Sequence, residues 1–289
     1  MPALLPSHPP PAARVVALTA LAMVAFAGNS LLCRQALSGT GIDAASFTTI
    51  RLLAGALALW LLVVLTTRRA GLGGNWPSAL ALFAYAAGFS FAYRDLSAAT
   101  GALLLFGAVQ CTMTGLGLWR GERLRMPQVF GMTVAVAGLV LLLMPGLAAP
   151  SPVGAALMLL AGVAWGVYSL RGRGAGDAIG ETAGNFVRAV PFGLAASLIW
   201  FADVRFDASG VALAAASGAL ASGVGYAIWY TVLPALRATN AAMVQLSVPP
   251  LAAFGGVVLL DETFGWRLAL ASLAILGGIA VFIRARTRA

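Results

Sequence analysis

The chain is a succession of long apolar runs separated by short segments that hold most of its charge. Ten runs lie at roughly 15–33, 46–66, 78–94, 99–119, 127–144, 153–171, 182–201, 210–233, 238–259 and 266–284. A helix needs about 20 mostly apolar residues to cross the hydrocarbon of a bilayer. Backbone amides and carbonyls find no water there, so only helices and closed barrels span it. The runs are continuous rather than alternating, which excludes a barrel. The expected fold is an all-α integral membrane protein with ten transmembrane helices.

Composition excludes the other classes. Of 289 residues, 61% are apolar and 9% charged, whereas a soluble domain carries about 25% charged residues. A soluble enzyme cannot be coated with so little charge, and disorder needs the opposite balance. All 18 basic residues are Arg, scattered between the runs. The net charge of +9 is therefore no nucleic-acid footprint, and no nucleic-acid partner is expected. Cys33 and Cys111 both lie inside apolar runs, which excludes a disulfide framework and a four-ligand zinc site. There is no Walker motif, so ATP does not drive the chain directly. No cofactor and no metal is expected. The partners are a small-molecule substrate and membrane lipid, and a monomer is the expected state.

Orientation follows from the loops. With the N-terminus inside, the cytoplasmic segments hold 12 Arg, including Arg68, Arg69, Arg120, Arg123, Arg125, Arg171 and Arg173. The outer loops hold 4: Arg34, Arg94, Arg205 and Arg267. This bias places both termini in the cytoplasm of a bacterial inner membrane. Arg51 and Arg188 fall inside runs.

The two halves resemble each other. At an offset of 139, Val24-Ala25-Phe26 falls on Val163-Ala164-Trp165, Arg34 on Arg173, and Ala99-Thr100 on Ala238-Thr239. At 140, Glu122 falls on Glu262 and Gly138 on Gly278; at 137, Arg51 falls on Arg188. Ala25-Phe26-Ala27 could mimic a signal-peptide cleavage site, but its mid-chain partner makes the first run a span. The expected organisation is a tail at 1–14, a five-helix repeat at 15–146, a second at 153–284, and a tail at 285–289. Five spans per half invert the second half in the membrane, an arrangement that goes with alternating access.

The pattern resembles the drug/metabolite transporter superfamily, in its EamA-type ten-helix branch. The resemblance rests on Phe47-Thr-Thr-Ile-Arg51, Asn185-Phe-Val-Arg188, Leu96-Ser-Ala-Ala-Thr100 and Pro249-Pro250. The acids Glu122 and Asp261-Glu262, which end spans 4 and 9, fit as well. It covers almost the whole chain. It implies export of small metabolites, with the aromatic amino acid branch as one option. The chain departs from the family in span 4, where Gln110-Cys111 stands in place of a common proline.

Candidate site residues come from what is polar or aromatic at depth. Asn29, Gln110 and Gln245 are uncharged donor–acceptors that either tie helices together or face a wet cavity. Pro249 lies four residues after Gln245, and proline removes the amide that would bond the Gln245 carbonyl. A break in span 9 is expected there. Aromatics recur at helical spacing: Tyr85, Phe89 and Tyr93 in span 3; Trp165 and Tyr168 in span 6; Tyr226, Trp229 and Tyr230 in span 8. Tyr93 and Trp119 fit the interfacial belt. The deeper rings either pack the core or line an apolar site. The candidate cavity lining is Asn29, Tyr85, Phe89, Gln110, Trp165, Tyr168, Tyr226, Trp229, Gln245 and Pro249.

Further expectations concern glycine and charge. Gly162-x-x-x-Gly166 permits close helix approach. Gly172-x-Gly174-x-Gly176 reads as a flexible connector. Arg51 and Arg188 sit near helix ends, where snorkelling to the interface or bonding to carbonyls is the expected role, with substrate binding as the alternative. No Asp, Glu, His or Lys lies at mid-depth, so transport without obligatory proton coupling is expected. Glu122 and Glu262 are expected to pair with Arg123 and Arg267. A membrane-embedded enzyme fares poorly, since neither cysteine has a His partner; a non-transporting scaffold is the other alternative.

Overall fold

The computed structural model describes residues 12–66, 72–143, 151–173, 176–261 and 266–287. Among these, ten helical segments follow in chain order: α1 Ala12–Gly39, α2 Ala44–Thr66, α3 Trp76–Ala92, α4 Ala98–Trp119 and α5 Met126–Leu143. The second half holds α6 Pro152–Gly172, α7 Ala178–Ile199, α8 Ala208–Ala235, α9 Ala238–Leu259 and α10 Trp266–Thr287. No strand occurs among the described residues. Each segment falls within a few residues of an expected run. α1, α2, α4, α6, α8 and α9 are long and apolar enough to cross a membrane by length and composition. Shorter apolar helices lie within α3, α5 and α10.

The helices start where the sequence supplies acceptors. Asp43 accepts from the amides of Ala45 and Ser46 at 3.0 and 2.8 Å. Asn75, Ser97, Ser151, Asp177 and Asp207 cap the next starts in the same way. Such caps satisfy amides that the first helical turn leaves without partners. They also explain where many of the few acids went: to helix ends rather than the interior.

α2 packs on α7, α5 on α10, α3 and α4 on α6, and α8 and α9 on α1. Glycines set several of these approaches. A Cβ added at Gly162 would collide with the Leu105 carbonyl of α4, and one at Gly166 would lie 2.9 Å from the Thr112 side chain. The close approach expected of Gly162 and Gly166 is thus an α4–α6 contact. Gly172 ends α6 against the Tyr230 ring; Gly174 lies outside the described residues.

Two helices depart from regularity. α9 breaks at Leu246–Ser247, just before the buried Pro249-Pro250 pair, as the prolines predict. α4 runs unbroken through Gln110-Cys111, so the missing proline has its expected effect. In α8, Ser217–Val224 is wound as a π-helix, which nothing in the sequence reading foresaw.

Candidate functional site

Six helices bring a buried, polar-studded aromatic cluster to the middle of the bundle. Trp165 of α6 stands against Tyr226 of α8 (ring centroids 4.6 Å), Tyr85 of α3 (5.0 Å), Phe26 of α1 (5.3 Å) and Tyr168 (5.9 Å). Phe26 also meets Tyr226 and Trp229, each at 5.8 Å. Tyr85 continues to Phe89 at 5.3 Å. The Trp165 indole donates to Gln245 Oε1 at 2.8 Å, which ties α6 to α9. All of these residues are buried.

Eight of the ten candidate residues therefore share this cluster: Asn29, Tyr85, Phe89, Trp165, Tyr168, Tyr226, Trp229 and Gln245. Gln110 lies one step away, at the α4–α9 contact. It donates to Thr114 Oγ1 at 3.1 Å and Met243 Sδ at 3.6 Å, while Gln245 donates to Met113 Sδ at 3.3 Å. The two glutamines thus tie α4 to α9 reciprocally. Pro249 is buried beyond the break in α9.

The residue that sequence reasoning misplaced is Arg51. It does not snorkel; it is 1% exposed. Its Nε donates to Ser222 Oγ at 3.1 Å, and its Nη2 donates to the Tyr85 and Tyr226 hydroxyls at 3.1 and 3.0 Å. Its Cζ lies 5.1 and 5.0 Å from the Tyr85 and Phe89 ring centroids. Asn29 Nδ2 donates to the same Tyr85 hydroxyl at 3.1 Å, and Ser217 donates to Asn29 Oδ1 at 2.7 Å. No carboxylate among the described residues forms an ion pair with Arg51. Arg51 Nη1 has no hydrogen-bond partner. Burying a charge without a counter-charge costs several kcal/mol, so this position is an energetic exception in the fold. Phe26, Phe186, Ser217 and Ser222 were missed as well. The signal for Arg51 was its helical register with Phe47 and Gly55, which puts it on the inward face of α2.

Arg188 behaves as expected of an anchor. Its Nη1 donates to the Gly73 and Gly184 carbonyls at 2.6 and 2.9 Å. Tyr93 corrects the belt reading: it is fully buried and packs edge-on against Phe89 at 4.7 Å. Trp119, at the end of α4, is 85% exposed.

Two recesses lie at opposite helix ends. One, of about 340 Å³, is lined by Asp43, Arg94, Trp200, Asp203 and Arg205. The other, of about 240 Å³, is lined by Glu122, Arg123, Arg125, Arg237 and Thr239. Glu122 does not pair with Arg123. Its carboxylate accepts from the amides of Ala238 and Thr239 at 3.0 and 3.2 Å and from Thr239 Oγ1 at 2.9 Å, with Arg173 at 3.7 Å. Glu122 thereby caps α9 from the end of α4. Glu262 lies outside the described residues.

Burial works against ionisation of Glu122, but the hydrogen bonds from Thr239 and Ala238, with Arg173 beside them, outweigh it and hold the carboxyl below its ordinary value. A lowered folded value means that this stabilisation is complete above the ordinary glutamate range and is lost as pH falls through the folded value. Glu122→Gln is expected to cost about 1 kcal/mol at pH 7, since water screens this partly exposed pair. The gap to wild type should close below about pH 4. Thermal melts in detergent at both pH values check this; a gap that ignores pH contradicts it.

Long apolar helices around buried polar groups define a multi-pass helical membrane protein. The model of the EamA-like transporter family matches residues 152–284. An uncharacterized protein of Pseudomonas aeruginosa is 54% identical over 277 residues, covering 96% of each chain. A solved crystal structure shares the fold, with TM-score 0.75 at 19% identity over 96% of this chain and 99% of the other. The second half of the chain thus carries an EamA-like transporter family domain, which marks a membrane transporter of small molecules.

Proposed function

We propose that this chain is a secondary exporter of small organic solutes, with aromatic or other apolar amino acids as the favoured class. It works by alternating access in a bacterial inner membrane, with ten spans and both termini cytoplasmic. The arginine bias between loops supports the orientation, and the Pseudomonas relative supports a bacterial setting. The substrate site is the aromatic cluster, with Asn29, Tyr85, Phe89, Trp165, Tyr168, Tyr226, Trp229 and Gln245 as its lining; Gln110 and Pro249 support it from α4 and α9. The observation that carries the reading is that Trp165, Tyr85 and Tyr226 meet, buried, from three helices. An apolar pocket with a few fixed polar groups is the usual form of a small-molecule site.

Reciprocal contacts support an inverted five-helix repeat, residues 15–146 and 153–284. At the offset of 140, the pair Gly138–Ala271 exchanges for Gly278–Gly131. A Cβ at Gly138 would lie 2.9 Å from the Ala271 carbonyl oxygen, and one at Gly278 would meet the Gly131 carbonyl. At the offset of 139, Arg34 and Arg173 correspond. Arg34 donates to the Tyr93 carbonyl at 3.1 Å in the α3–α4 turn, and Arg173 to the Leu236 carbonyl at 2.6 Å in the α8–α9 turn. The family match at 152–284 covers the second of these units.

Export runs down the solute gradient. Arg does not titrate in proteins, and the acids Asp43, Glu122, Asp177 and Asp207 cap helix ends. Liposomes holding the purified chain and labelled phenylalanine provide the test. Saturable equilibration that ignores an imposed pH difference is the expected result. Failure to move the label above empty liposomes overturns the transport of aromatic amino acids. Accumulation that follows the pH difference, and is lost in Glu122→Gln, overturns the uncoupled mechanism.

A further inference from the structure

We infer that Arg51 is a carboxylate-binding residue, and that the solute handled at this site carries an anionic group alongside its apolar part. The inference rests on the site proposed above. It starts from the guanidinium's own hydrogens. An Arg side chain has five N–H donors. Nε uses one on Ser222, and Nη2 uses two on Tyr85 and Tyr226. The two on Nη1 have no partner, although the side chain is 1% exposed.

Nothing nearby neutralises the charge. Cys33 on α1, Tyr85 on α3, and Ser222 and Tyr226 on α8 face Arg51, and all are neutral near pH 7 in their ordinary state. A helix anchor would look different, and this bundle contains one: Arg188 spends its charge on two backbone carbonyls. Arg51 has three hydroxyl partners, two aromatic faces and two unpaired Nη1 donors. Its hydroxyl partners are themselves held: Tyr85 accepts from Asn29, and Asn29 accepts from Ser217. The result is a preset guanidinium whose two Nη1 donors have no acceptor, and a carboxylate is the acceptor that suits a guanidinium.

The rest of the cluster supplies the apolar half. The Tyr85 and Tyr226 rings, whose hydroxyls hold Arg51, also flank Trp165 at 5.0 and 4.6 Å. A solute whose carboxylate reaches Nη1 lays its apolar part against these rings. The cluster is closed in this structure, so the carboxylate enters when the helices carrying Tyr85 and Tyr226 part.

The test uses the purified full-length chain in detergent and reads tryptophan fluorescence, for which Trp165 is the nearest reporter. The probes are sodium benzoate and phenylacetate, with benzamide, benzylamine and sodium chloride for comparison. A saturable response to the two carboxylates is expected, weakened at least about tenfold for benzamide and benzylamine, the size of a lost charged hydrogen bond. Arg51→Gln should abolish it, Arg51→Lys should keep a weakened response, and the exposed Arg14→Gln should leave it unchanged. If Arg51→Gln fails to fold, the Lys variant and the probe series decide the question. Equal responses to benzoate and benzamide overturn the proposal, as does silence toward every carboxylate. A response to chloride equal to that to benzoate makes the ligand an inorganic anion and overturns it too. Flux separates this from the transport reading. Labelled phenylalanine crossing equally through wild type and Arg51→Gln leaves transport standing and removes Arg51. Arg51-dependent binding without flux does the reverse.

Discussion

Trp165→Ala is expected to lower the unfolding free energy by about 3–5 kcal/mol, the usual cost of deleting a large buried ring. The ring meets Phe26, Tyr85, Tyr168 and Tyr226, so truncation leaves a void at the meeting point of four helices. It also strips Gln245 Oε1 of its indole donor, and an unsatisfied buried acceptor adds to the loss. Trp165→Phe separates the two effects. It keeps an aromatic ring while removing the N–H and part of the ring volume, for a smaller expected cost of about 1–3 kcal/mol. Unfolding in mixed micelles, followed by circular dichroism, measures both variants. A Trp165→Ala protein as stable as wild type would show that the cluster contributes little to cohesion.

Gly162→Leu should do at least as much damage, by the opposite route. Its Cβ alone collides with the Leu105 carbonyl and comes within 2.7 Å of Ala108 Cβ. Backbone cannot turn aside as a side chain can, so α4 and α6 must separate. Overpacking costs about 1–3 kcal/mol in forgiving cores; here the expected loss is at the top of that range or beyond. Gly115→Leu is the control. It lies on the same α4, and nothing stands within 4 Å of an added Cβ there. Its melting temperature should stay within a few degrees of wild type.

This contrast bears on what the sequence made legible. The spans were readable because apolar length is a one-dimensional quantity, and a residue count suffices to find α1 or α4. The break before Pro249 was readable because proline acts on its own backbone. The aromatic stripes gave the right faces of α3, α6 and α8, since i, i+4 spacing fixes a face without saying what lies opposite.

Depth and partnership were less legible. Arg51 stands only two turns into α2, and distance from a helix end suggested escape to the interface. Its register with Phe47 and Gly55 turns it toward α3 and α8 instead. A snorkelling side chain needs a lipid-facing start, and the run alone does not say which face that is. Glu122 failed for a related reason. Arg123 is its neighbour in sequence, but the amides of Ala238 and Thr239 are nearer in space, and hydrogen bonds from a helix start hold a carboxylate well. The unusual winding of α8 had no signature beyond Ser217-Gly218 and Ser222-Gly223, in a chain with 34 glycines.

That winding fixes a phase. Each residue of a regular α-helix advances about 100° around its axis, and a turn closed one residue later leaves everything beyond it out of step. Ser217 at the start of the wide segment faces Asn29, while Ser222 within it and Tyr226 just past it face Arg51. Rewound as ordinary helix, the same residues would swing their hydroxyls around the axis, and Arg51 would lose two of its three partners. The slack turn therefore works like the offset tooth of a key: its length, more than the identity of any one residue in it, decides what α8 presents to α2.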